Sequence, residues 1–275
     1  MSNHHFDVIP TTGAMGAEIH GIDLSRNPDQ QTFRAVNQAL LDYGVIFFRK
    51  QDITPAQQMA FAKGWGEVHL HPHMPCLPHN PGIIEIVKKE DDTVVFGANW
   101  HTDQMFTPTP ARVTILYAKQ VPPVGGDTLF ANLHLAYDTL SDGMKAMIAN
   151  LRTISVYDKK KKRPAAMTPT APDEAPECAE HPLVRHHPET GRKALYLCHI
   201  GITRQIVGMS EEESCPILTY LLGHATRPDF TCRFRWEVGS VAVWDNRRAL
   251  HYPVNDYHGY RRVMHRITIE GERTF

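Results

Sequence analysis

The sequence predicts a mainly β protein with flanking helices, of the β-sandwich or jelly-roll type. Short segments rich in β-branched and aromatic residues recur along the chain and become more frequent after residue 83. Helical patterns are fewer, and helix and strand alternate only near the N-terminus. No glycine-rich phosphate loop follows a strand, which argues against a doubly wound parallel sheet. Many short strands that close on themselves, with helices outside, are typical of a jelly roll.

The N-terminal part of the chain contains this alternation. A strand and turn are predicted over 6–24, followed by a helix over 29–41 that ends near Gly44. The apolar run 45–48 predicts a buried strand. Thr54 and Pro55 then mark the start of a second helix that reaches residue 63, because Thr is a good N-cap and Pro fits a first turn.

The rest of the chain is predicted to be mostly strands. Helices are expected over 135–151 and over 211–224, the latter capped by Ser210. Strands are expected over 83–87, 94–100, 111–119, 128–131, 193–198, 231–236, 240–244 and 262–269. Gly125 and Gly126 predict a tight hairpin corner, after which Thr128 begins a strand with its hydroxyl free to face a pocket.

Composition narrows the class of protein. A chain of 275 residues with 42% apolar content can bury a substantial core. The net charge of −1 provides no basic excess, so no nucleic-acid partner is expected. No signal-peptide pattern and no apolar run of membrane length are apparent, so we expect a soluble cytoplasmic protein without a membrane partner. Five scattered cysteines without a CxxC pair fit reduced thiols in that compartment.

His101 and Asp103 are the first candidate metal ligands. Residues two apart on an extended chain share a face, so both side chains can point at one ion while Thr102 faces away. A further histidine, for which the distant His251 is a candidate, would complete a facial triad of two histidines and one carboxylate. That triad is typical of Fe(II) and leaves three octahedral positions open.

Other histidine patterns compete with this candidate. The chain has 17 histidines, and similar triplets occur at His5-Phe6-Asp7 and His187-Pro188-Glu189. His69, His71 and His73 alternate as zinc ligands on a strand could, although Pro72 interrupts the geometry and no cysteine or carboxylate accompanies them. The triplet at His101 therefore needs support from elsewhere in the chain.

A C-terminal strand carries an arginine pair. Arg262, Met264 and Arg266 share one face of the strand predicted there. Arginines are rarely buried without a partner, so this face is either solvated or turned towards an anion. The pattern alone leaves both alternatives open.

Together these residues resemble the taurine dioxygenase (TauD/TfdA) family of Fe(II)- and 2-oxoglutarate-dependent oxygenases. The resemblance rests on blocks that follow the family's order over nearly the whole chain. The blocks are Gly16-Ala17-Glu18-Ile19-His20-Gly21-Ile22-Asp23-Leu24, Gly66-Glu67-Val68-His69-Leu70-His71-Pro72, Asn99-Trp100-His101-Thr102-Asp103, Gly125-Gly126-Asp127-Thr128-Leu129-Phe130, Val243-Trp244-Asp245-Asn246 leading to His251, and Arg261-Arg262-Val263-Met264-His265-Arg266.

The resemblance implies a double-stranded β-helix, the cupin-like jelly roll, and a set of cofactors. It implies that His101, Asp103 and His251 bind Fe(II), and that Thr128 and Arg262 hold the distal carboxylate of the cosubstrate 2-oxoglutarate. O2 would bind at an open position on the metal. The implied reaction converts 2-oxoglutarate to succinate and carbon dioxide while an sp³ carbon of the substrate is hydroxylated.

The resemblance also implies a small organic anion as the substrate, held by Arg266 and His71. In the taurine enzymes a tyrosine and an asparagine lie near the substrate amine, and the matching positions here are Met74 and Gly97. Both polar contacts would be lost. We therefore expect a less polar anion, such as an alkyl sulfonate or alkyl sulfate ester, flanked by Met74, Phe106 and Trp244. A hydroxylated product of this kind collapses with C–S or C–O cleavage.

Several alternatives stay open at this point. Residues 1–275 are expected to form a single domain, with either an active-site lid or a solvated connecting loop at 158–180. The oligomeric state, with a homodimer or homotetramer as candidates, is not determined. A non-catalytic protein that senses small acids on the same fold, and a cupin-like metal isomerase, are the competing functions.

Overall fold

The computed structural model describes residues 6–71, 74, 76–157 and 178–274. The helices are α1 (Gln30–Tyr43), α2 (Pro55–Ala62), α3 (Leu133–Asp138), α4 (Asp142–Ile148) and α5 (Glu211–Ala225). The strands are β1 (Asp7–Pro10), β2 (Ala17–His20), β3 (Val45–Phe48), β4 (Cys76–Leu77), β5 (Asn80–Lys88), β6 (Val113–Gln120), β7 (Thr128–Asn132), β8 (Arg152–Val156), β9 (Cys178–Pro182), β10 (Val184–His186), β11 (Lys193–Leu195), β12 (Thr203–Ile206), β13 (Thr231–Phe234), β14 (Val241–Asp245), β15 (Ala249–Pro253) and β16 (Arg262–Thr268). Within the described ranges, no helix combines the length and apolar character that a membrane crossing requires.

Two facing sheets form the centre of the molecule. The larger has eight strands in the order β1-β2-β3-β14-β6-β16-β5-β4, and the smaller has three in the order β13-β7-β15. Their neighbouring strands pair antiparallel, apart from the parallel pair β2 and β3. Phe47 of β3 stacks on Phe234 of β13 with 3.9 Å between ring centroids, so the two sheets share one apolar core. This arrangement confirms the predicted jelly roll.

The larger sheet is covered on its outer face by α1 and α2, which explains the apolar run in β3. Phe47 points into the core between the sheets, whereas Phe48 meets Phe61 of α2 with 5.7 Å between ring centroids. Every residue of β3 is buried because both faces of the strand are covered. Thr54 and Gln57 form a capping box at the start of α2, as the sequence predicted for Thr54.

The strand predicted over 94–100 is wrong, because these residues form turns. Gly97 has a φ of +75°, and the amide of Asn99 donates to the carbonyl of Gly97 at 2.6 Å. Such a reversal is incompatible with an extended strand. This segment instead becomes a wall of the main cavity.

The single helix predicted over 135–151 is also wrong, because two helices, α3 and α4, occupy that range. The hydroxyl of Thr139 turns back to the carbonyl of Leu135 at 2.8 Å, and Ser141 caps a new helix by accepting from the amide of Met144 at 3.2 Å. Side-chain hydrogen bonds to the main chain thus interrupt an otherwise continuous apolar periodicity.

The glycine pair before β7 makes a corner between sheets instead of a hairpin. Gly125 and Gly126 have φ values of +81° and +71°, and the amide of Gly126 donates to Oδ1 of Asp256 at 2.7 Å. β6 lies in the larger sheet and β7 in the smaller one, so the hairpin prediction is wrong. Thr128 does begin β7, as predicted.

Part of the segment predicted to be a lid or a connecting loop forms a strand. Residues 178–180 belong to β9, which pairs with β8. The remainder of that prediction, residues 158–177, lies outside the described residues. The strand β15 was not predicted, yet it carries His251.

Candidate metal centre and binding cavity

Main-chain pairing brings His101 and His251 together. β15 runs beside β7, with His251 opposite Phe130. The amide of His101 donates to the carbonyl of His251 at 3.0 Å, and the amide of His251 donates to the carbonyl of His101 at 2.8 Å. The two imidazole rings consequently lie with their centroids 4.0 Å apart.

The side chain of Asp103 converges on the same point. Nε2 of His101 lies 3.8 Å from Oδ1 of Asp103, and Nε2 of His251 lies 3.7 Å from the same oxygen. One ligand atom from each of the three residues lies within 4.8 Å of the others, and no other such group of His, Cys, Asp or Glu occurs in the described part of the chain. The hydroxyl of Thr102 faces away and donates to the carbonyl of Asn246 at 2.6 Å, as the spacing predicted.

Asp103 is a carboxylate at neutral pH. Burial would raise its pKa, but the charge of Arg266 and a hydrogen bond from Thr114 favour the carboxylate, and the pKa lies at about 2. Nη2 of Arg266 lies 3.0 Å from Oδ1, while Thr114 donates its hydroxyl to Oδ2 at 2.7 Å. Oδ1 therefore faces the histidines and Arg266, and Oδ2 accepts from Thr114.

The two histidines are suited to bind a metal as neutral ligands. Burial lowers the pKa of His101 and, more strongly, that of His251. Nδ1 of His101 lies 2.7 Å from the carbonyl oxygen of Asn99. This contact places the ring proton on Nδ1 and leaves the lone pair of Nε2 for a metal ion.

A second, small cavity contains two buried cations. It is lined by Arg262, Lys88 and Tyr257, among others. Nε and Nη2 of Arg262 are buried and have no hydrogen-bond partner among the described residues. Nζ of Lys88 contacts the carbonyl oxygens of Lys89 and Tyr260. In the described ranges neither cation has a carboxylate in an ion pair, so the cavity suits an anionic ligand.

Register and packing strengthen this interpretation. Arg262 on β16 lies directly opposite Lys88 on β5, an arrangement of like charges that destabilises a sheet unless an anion lies between them. Nε1 of Trp236 donates to Oγ1 of Thr128 at 2.9 Å, and the guanidinium of Arg262 lies 5.6 Å from the centre of the Trp236 ring. Because Oγ1 accepts from the indole, the hydroxyl proton of Thr128 is available to an anion. Thr128 and Arg262 were predicted from the sequence, whereas Lys88 is identified only by the cross-strand pairing.

The metal centre opens into a cavity of about 260 Å³. Most residues predicted to contact the substrate line this cavity, namely His71, Met74, Gly97, Phe106 and Arg266. Nε of Arg266 is buried without a partner in the described part of the chain, so this guanidinium retains donor capacity beside Asp103.

The wall of this cavity is largely apolar. Its further apolar members are Val94, Val95, Phe96, Met105 and Ile202. Tyr157 also lines the cavity, and its ring lies 4.4 Å from that of Phe106 between centroids. These residues were not predicted as cavity residues, because they lie on turns and loops whose side-chain directions follow no simple period.

Trp244, the remaining residue predicted to contact the substrate, is not among the described residues that line this cavity. It is 2% exposed, and its ring packs against His251 with 4.7 Å between centroids. Its Nε1 donates to Oδ1 of Asn246 at 3.0 Å. Trp244 thus packs against the candidate metal ligand His251.

The other histidine patterns form no metal cluster among the described residues. His187 belongs to a charge network that extends from the buried Asp245 to the exposed Glu189. Nε2 of His187 lies 2.8 Å from Oδ2 of Asp245, and Arg247 bridges Asp245 and Glu189. His5 and His73 lie outside the described residues. His69 and His71 form no metal cluster with other described residues.

Comparison with known proteins agrees with this geometry. Residues 7–268 match the family described as Taurine catabolism dioxygenase TauD, TfdA family. The chain is 35% identical over 280 residues to an alpha-ketoglutarate-dependent sulfate ester dioxygenase from Pseudomonas putida, covering 97% of this chain and 90% of that protein. It is 34% identical over 274 residues to an alkylsulfatase from Acinetobacter baylyi, covering 96% of this chain and 84% of that protein. A solved taurine dioxygenase from Burkholderia xenovorans superposes with a TM-score of 0.85 at 36% identity, covering 98% of this chain and 91% of that one.

The residues present fit the groups that such enzymes use. Neutral histidines and a carboxylate are a suitable donor set for Fe(II) with positions left open. The unpaired buried donors of Arg262 suit a carboxylate of 2-oxoglutarate. The chain belongs to the TauD/TfdA family and is an Fe(II)- and 2-oxoglutarate-dependent dioxygenase that uses O2.

Proposed function

We propose that this dioxygenase hydroxylates the carbon that carries the anionic group of an alkyl sulfate ester or alkyl sulfonate. The observation that carries the proposal is the composition of the main cavity. Arg266 provides a cationic group next to Asp103, while Val94, Phe96 and Ile202 contribute an apolar wall. A substrate with a charged head and an apolar tail satisfies both parts of the cavity.

Arg266 and His71 are the proposed receptors for the anionic head. The buried Nε of Arg266 has no partner among the described residues, and a sulfonate or sulfate oxygen would accept from it. His71 lines the same cavity. Met74 and Gly97 provide no polar side chain for an amine, which favours an apolar tail over that of taurine.

The apolar wall binds the tail and excludes water from the reacting carbon. When bound, Fe(II) and 2-oxoglutarate supply with O2 the oxidising equivalents that replace one C–H bond by C–OH, and 2-oxoglutarate becomes succinate and carbon dioxide. A hydroxyl on the carbon of a C–O–SO3⁻ ester gives a hemiacetal ester. This product collapses to an aldehyde and hydrogen sulfate as the C–O bond breaks. The sulfonate analogue gives an aldehyde and hydrogen sulfite as the C–S bond breaks.

The remaining roles in the proposal follow the site geometry. His101, Asp103 and His251 hold the metal, and Thr128 and Arg262 hold the distal carboxylate of 2-oxoglutarate, with Lys88 beside Arg262. Residues 1–275 act as a single catalytic domain. All five cysteines are free thiols, which supports a reducing compartment such as the cytoplasm.

Succinate and sulfur-product release across a substrate panel tests the proposal. The panel contains alkyl sulfates and alkyl sulfonates of short and long chain, an aryloxy acid and taurine. We expect kcat/KM to rise with chain length for the alkyl anions and to be at least about 100-fold lower for taurine, because each buried CH2 contributes about 0.8 kcal/mol. Strong turnover of taurine with little turnover of the alkyl anions would contradict the proposal.

A matched pair of variants tests the apolar wall directly. Ile202 lines the cavity, whereas Ile200 in the same turn is 39% exposed and does not. Ile202→Asn should lower kcat/KM for the long-chain anion by about tenfold or more and affect the short-chain anion less. Ile200→Asn should leave both values unchanged. Equal effects of the two variants would place the tail elsewhere.

A further inference from the structure

Asn246 lies at the centre of the hydrogen bonds that surround the metal centre. It follows β14 and is fully buried. Its amide oxygen Oδ1 accepts from the main-chain amide of Asp103 at 3.2 Å and from Nε1 of Trp244 at 3.0 Å. Trp244 in turn packs on His251. One side chain is therefore linked to the carboxylate segment and, through an indole, to a candidate histidine ligand.

The amide nitrogen of Asn246 sets the direction of a second hydrogen bond. Nδ2 donates to Oγ1 of Thr114 at 2.9 Å. Since Oγ1 accepts this bond, the single proton of the Thr114 hydroxyl is directed to Oδ2 of Asp103, 2.7 Å away. Oδ2 is occupied by this contact. Oδ1 is the oxygen that faces Nε2 of His101 and of His251, with Nη2 of Arg266 3.0 Å from it on another side.

We infer that Asn246 is a positioning residue that, through Thr114, selects Oδ1 of Asp103 as the metal-binding oxygen. The inference rests on the proposed metal ligands, whose assignment does not depend on Asn246. Asn246 is not itself among the residues that line either cavity. It acts through the orientation of Asp103.

The turn that carries Asn246 is held on both sides. Oδ1 of Asp245 accepts from the main-chain amide and from Nε of Arg247, at 3.0 and 2.8 Å. Oδ2 of Asp245 lies 2.8 Å from Nε2 of His187, and Glu189 binds Arg247 from the other side at 2.8 Å. The triplet at 187–189, which resembles a metal site in sequence, thus anchors the turn that orients the metal centre.

Cobalt(II) affinity of the full-length protein, measured by titration against a competing chelator, tests the inference. Thr114→Val removes the relaying hydroxyl with little change in shape, and Asn246→Ala removes the amide. Each should weaken cobalt binding by about 10-fold or more, the usual effect of losing a contact that orients a ligand. Thr114→Ser, which keeps the hydroxyl, should bind cobalt within about threefold of the unmodified protein.

The double variant distinguishes a relay from two separate effects. The double variant combines Thr114→Val and Asn246→Ala. If Asn246 acts through Thr114, its cobalt affinity should be about that of the single variant with the lower affinity, since the second substitution removes no further contact. Losses that multiply in the double variant would overturn the relay. Unchanged affinity in both single variants would overturn the role of Asn246 altogether.

Two controls separate this outcome from others. Gln58 is a buried amide bonded to His265 and to the carbonyl of Ile53, so Gln58→Leu should lower the melting temperature without changing cobalt affinity. Asp103→Ala should abolish tight cobalt binding. If Asp103→Ala binds cobalt normally, the proposed ligands are wrong. If Asp103→Ala does not bind cobalt while Thr114→Val and Asn246→Ala bind it normally, the proposed ligands stand. In that case only the positioning role of Asn246 is wrong.

Discussion

A Cβ atom at position 97 would lie 2.7 Å from Cε1 and 3.0 Å from Nε2 of His101. The main chain of Gly97 therefore approaches the edge of the imidazole that carries the candidate metal-binding nitrogen. Gly97 also has a φ of +75°, which a residue with a side chain rarely adopts. The position that matches the amine-contacting asparagine of the taurine enzymes thus determines where a metal ligand can lie.

Gly97→Ala should displace His101 and weaken metal binding. Backbone strain alone costs roughly 1–2 kcal/mol at such a φ. The contact between the new Cβ and the His101 ring would also displace Nε2, so we expect cobalt affinity to fall by about 10-fold or more, as for a misplaced ligand.

Gly208 has a φ of +86° and open space where a Cβ would lie, so Gly208→Ala is the control for strain. It should lower the melting temperature similarly and leave cobalt affinity unchanged. Equal affinities for both variants would contradict the prediction.

Restoring the polar residues expected in taurine enzymes should not confer taurine turnover. Met74 is 7% exposed and packs with Ile84, Cys76 and Phe96, so Met74→Tyr overfills this cluster and should cost about 1–3 kcal/mol. Gly97→Asn adds a side chain where His101 already lies. We expect the double variant to lose activity towards alkyl anions without gaining taurine activity, as measured by sulfite release. Efficient taurine turnover would contradict this expectation.

The buried cations of the small cavity should contribute unequally to 2-oxoglutarate binding. Arg262→Met should weaken binding by on the order of 100-fold, and Thr128→Val by about 10-fold, because a charged donor contributes more than a hydroxyl. Lys88→Met should weaken binding by about 10-fold and raise the melting temperature without cosubstrate, since it removes a like charge opposite Arg262. Anaerobic titration of the Fe(II)-loaded enzyme gives these affinities.

Lys89 provides the control for this series. It is the exposed neighbour of Lys88, so Lys89→Met should change neither the affinity nor the melting temperature. If Lys88→Met behaves like Lys89→Met, then Lys88 takes no part in the anion site. A lower melting temperature for Lys88→Met would show that its contacts outweigh the repulsion from Arg262.

Folding stability should fall as the pH is lowered from 7.5 to 5.5. Burial, with a contribution from Arg248, lowers the pKa of His134 from 6.5 to about 3, and burial lowers that of His181 from 6.5 to about 4. Below pH 6.5 the unfolded chain therefore binds protons that the folded protein does not, and the loss continues until the folded pKa is reached. Each histidine should remove about 1.4 kcal/mol from the free energy of unfolding over this interval.

Urea unfolding at the two pH values checks this prediction. His134→Gln and His181→Gln should each reduce the pH-dependent loss by about 1.4 kcal/mol, because glutamine does not titrate. Variants that keep the full loss would show that other groups are responsible.

Much of the fold could be predicted because local rules and burial agree along the chain. The caps of α2 and α5, the buried run of β3 and the start of β7 all follow from residue types within a few positions. The prediction failed where the main chain follows distant partners. Residues 94–100 have the composition of a strand, yet they turn at Gly97 and line the cavity. β15 was missed because its register is set by β7, far away in sequence.

The residue types that the chemistry requires can be read from the chain alone: the triplet His101-Thr102-Asp103, the distant His251, the arginine pair and the order in which they occur. Which of these residues meet depends on the folded structure. It separated His101 and Asp103 from the similar triplet at 187–189 by pairing His101 with His251 across two main-chain hydrogen bonds. It placed Trp244 behind His251 and Lys88 opposite Arg262. Side-chain direction and strand register depend on contacts between segments far apart in the chain, and no local pattern contains that information.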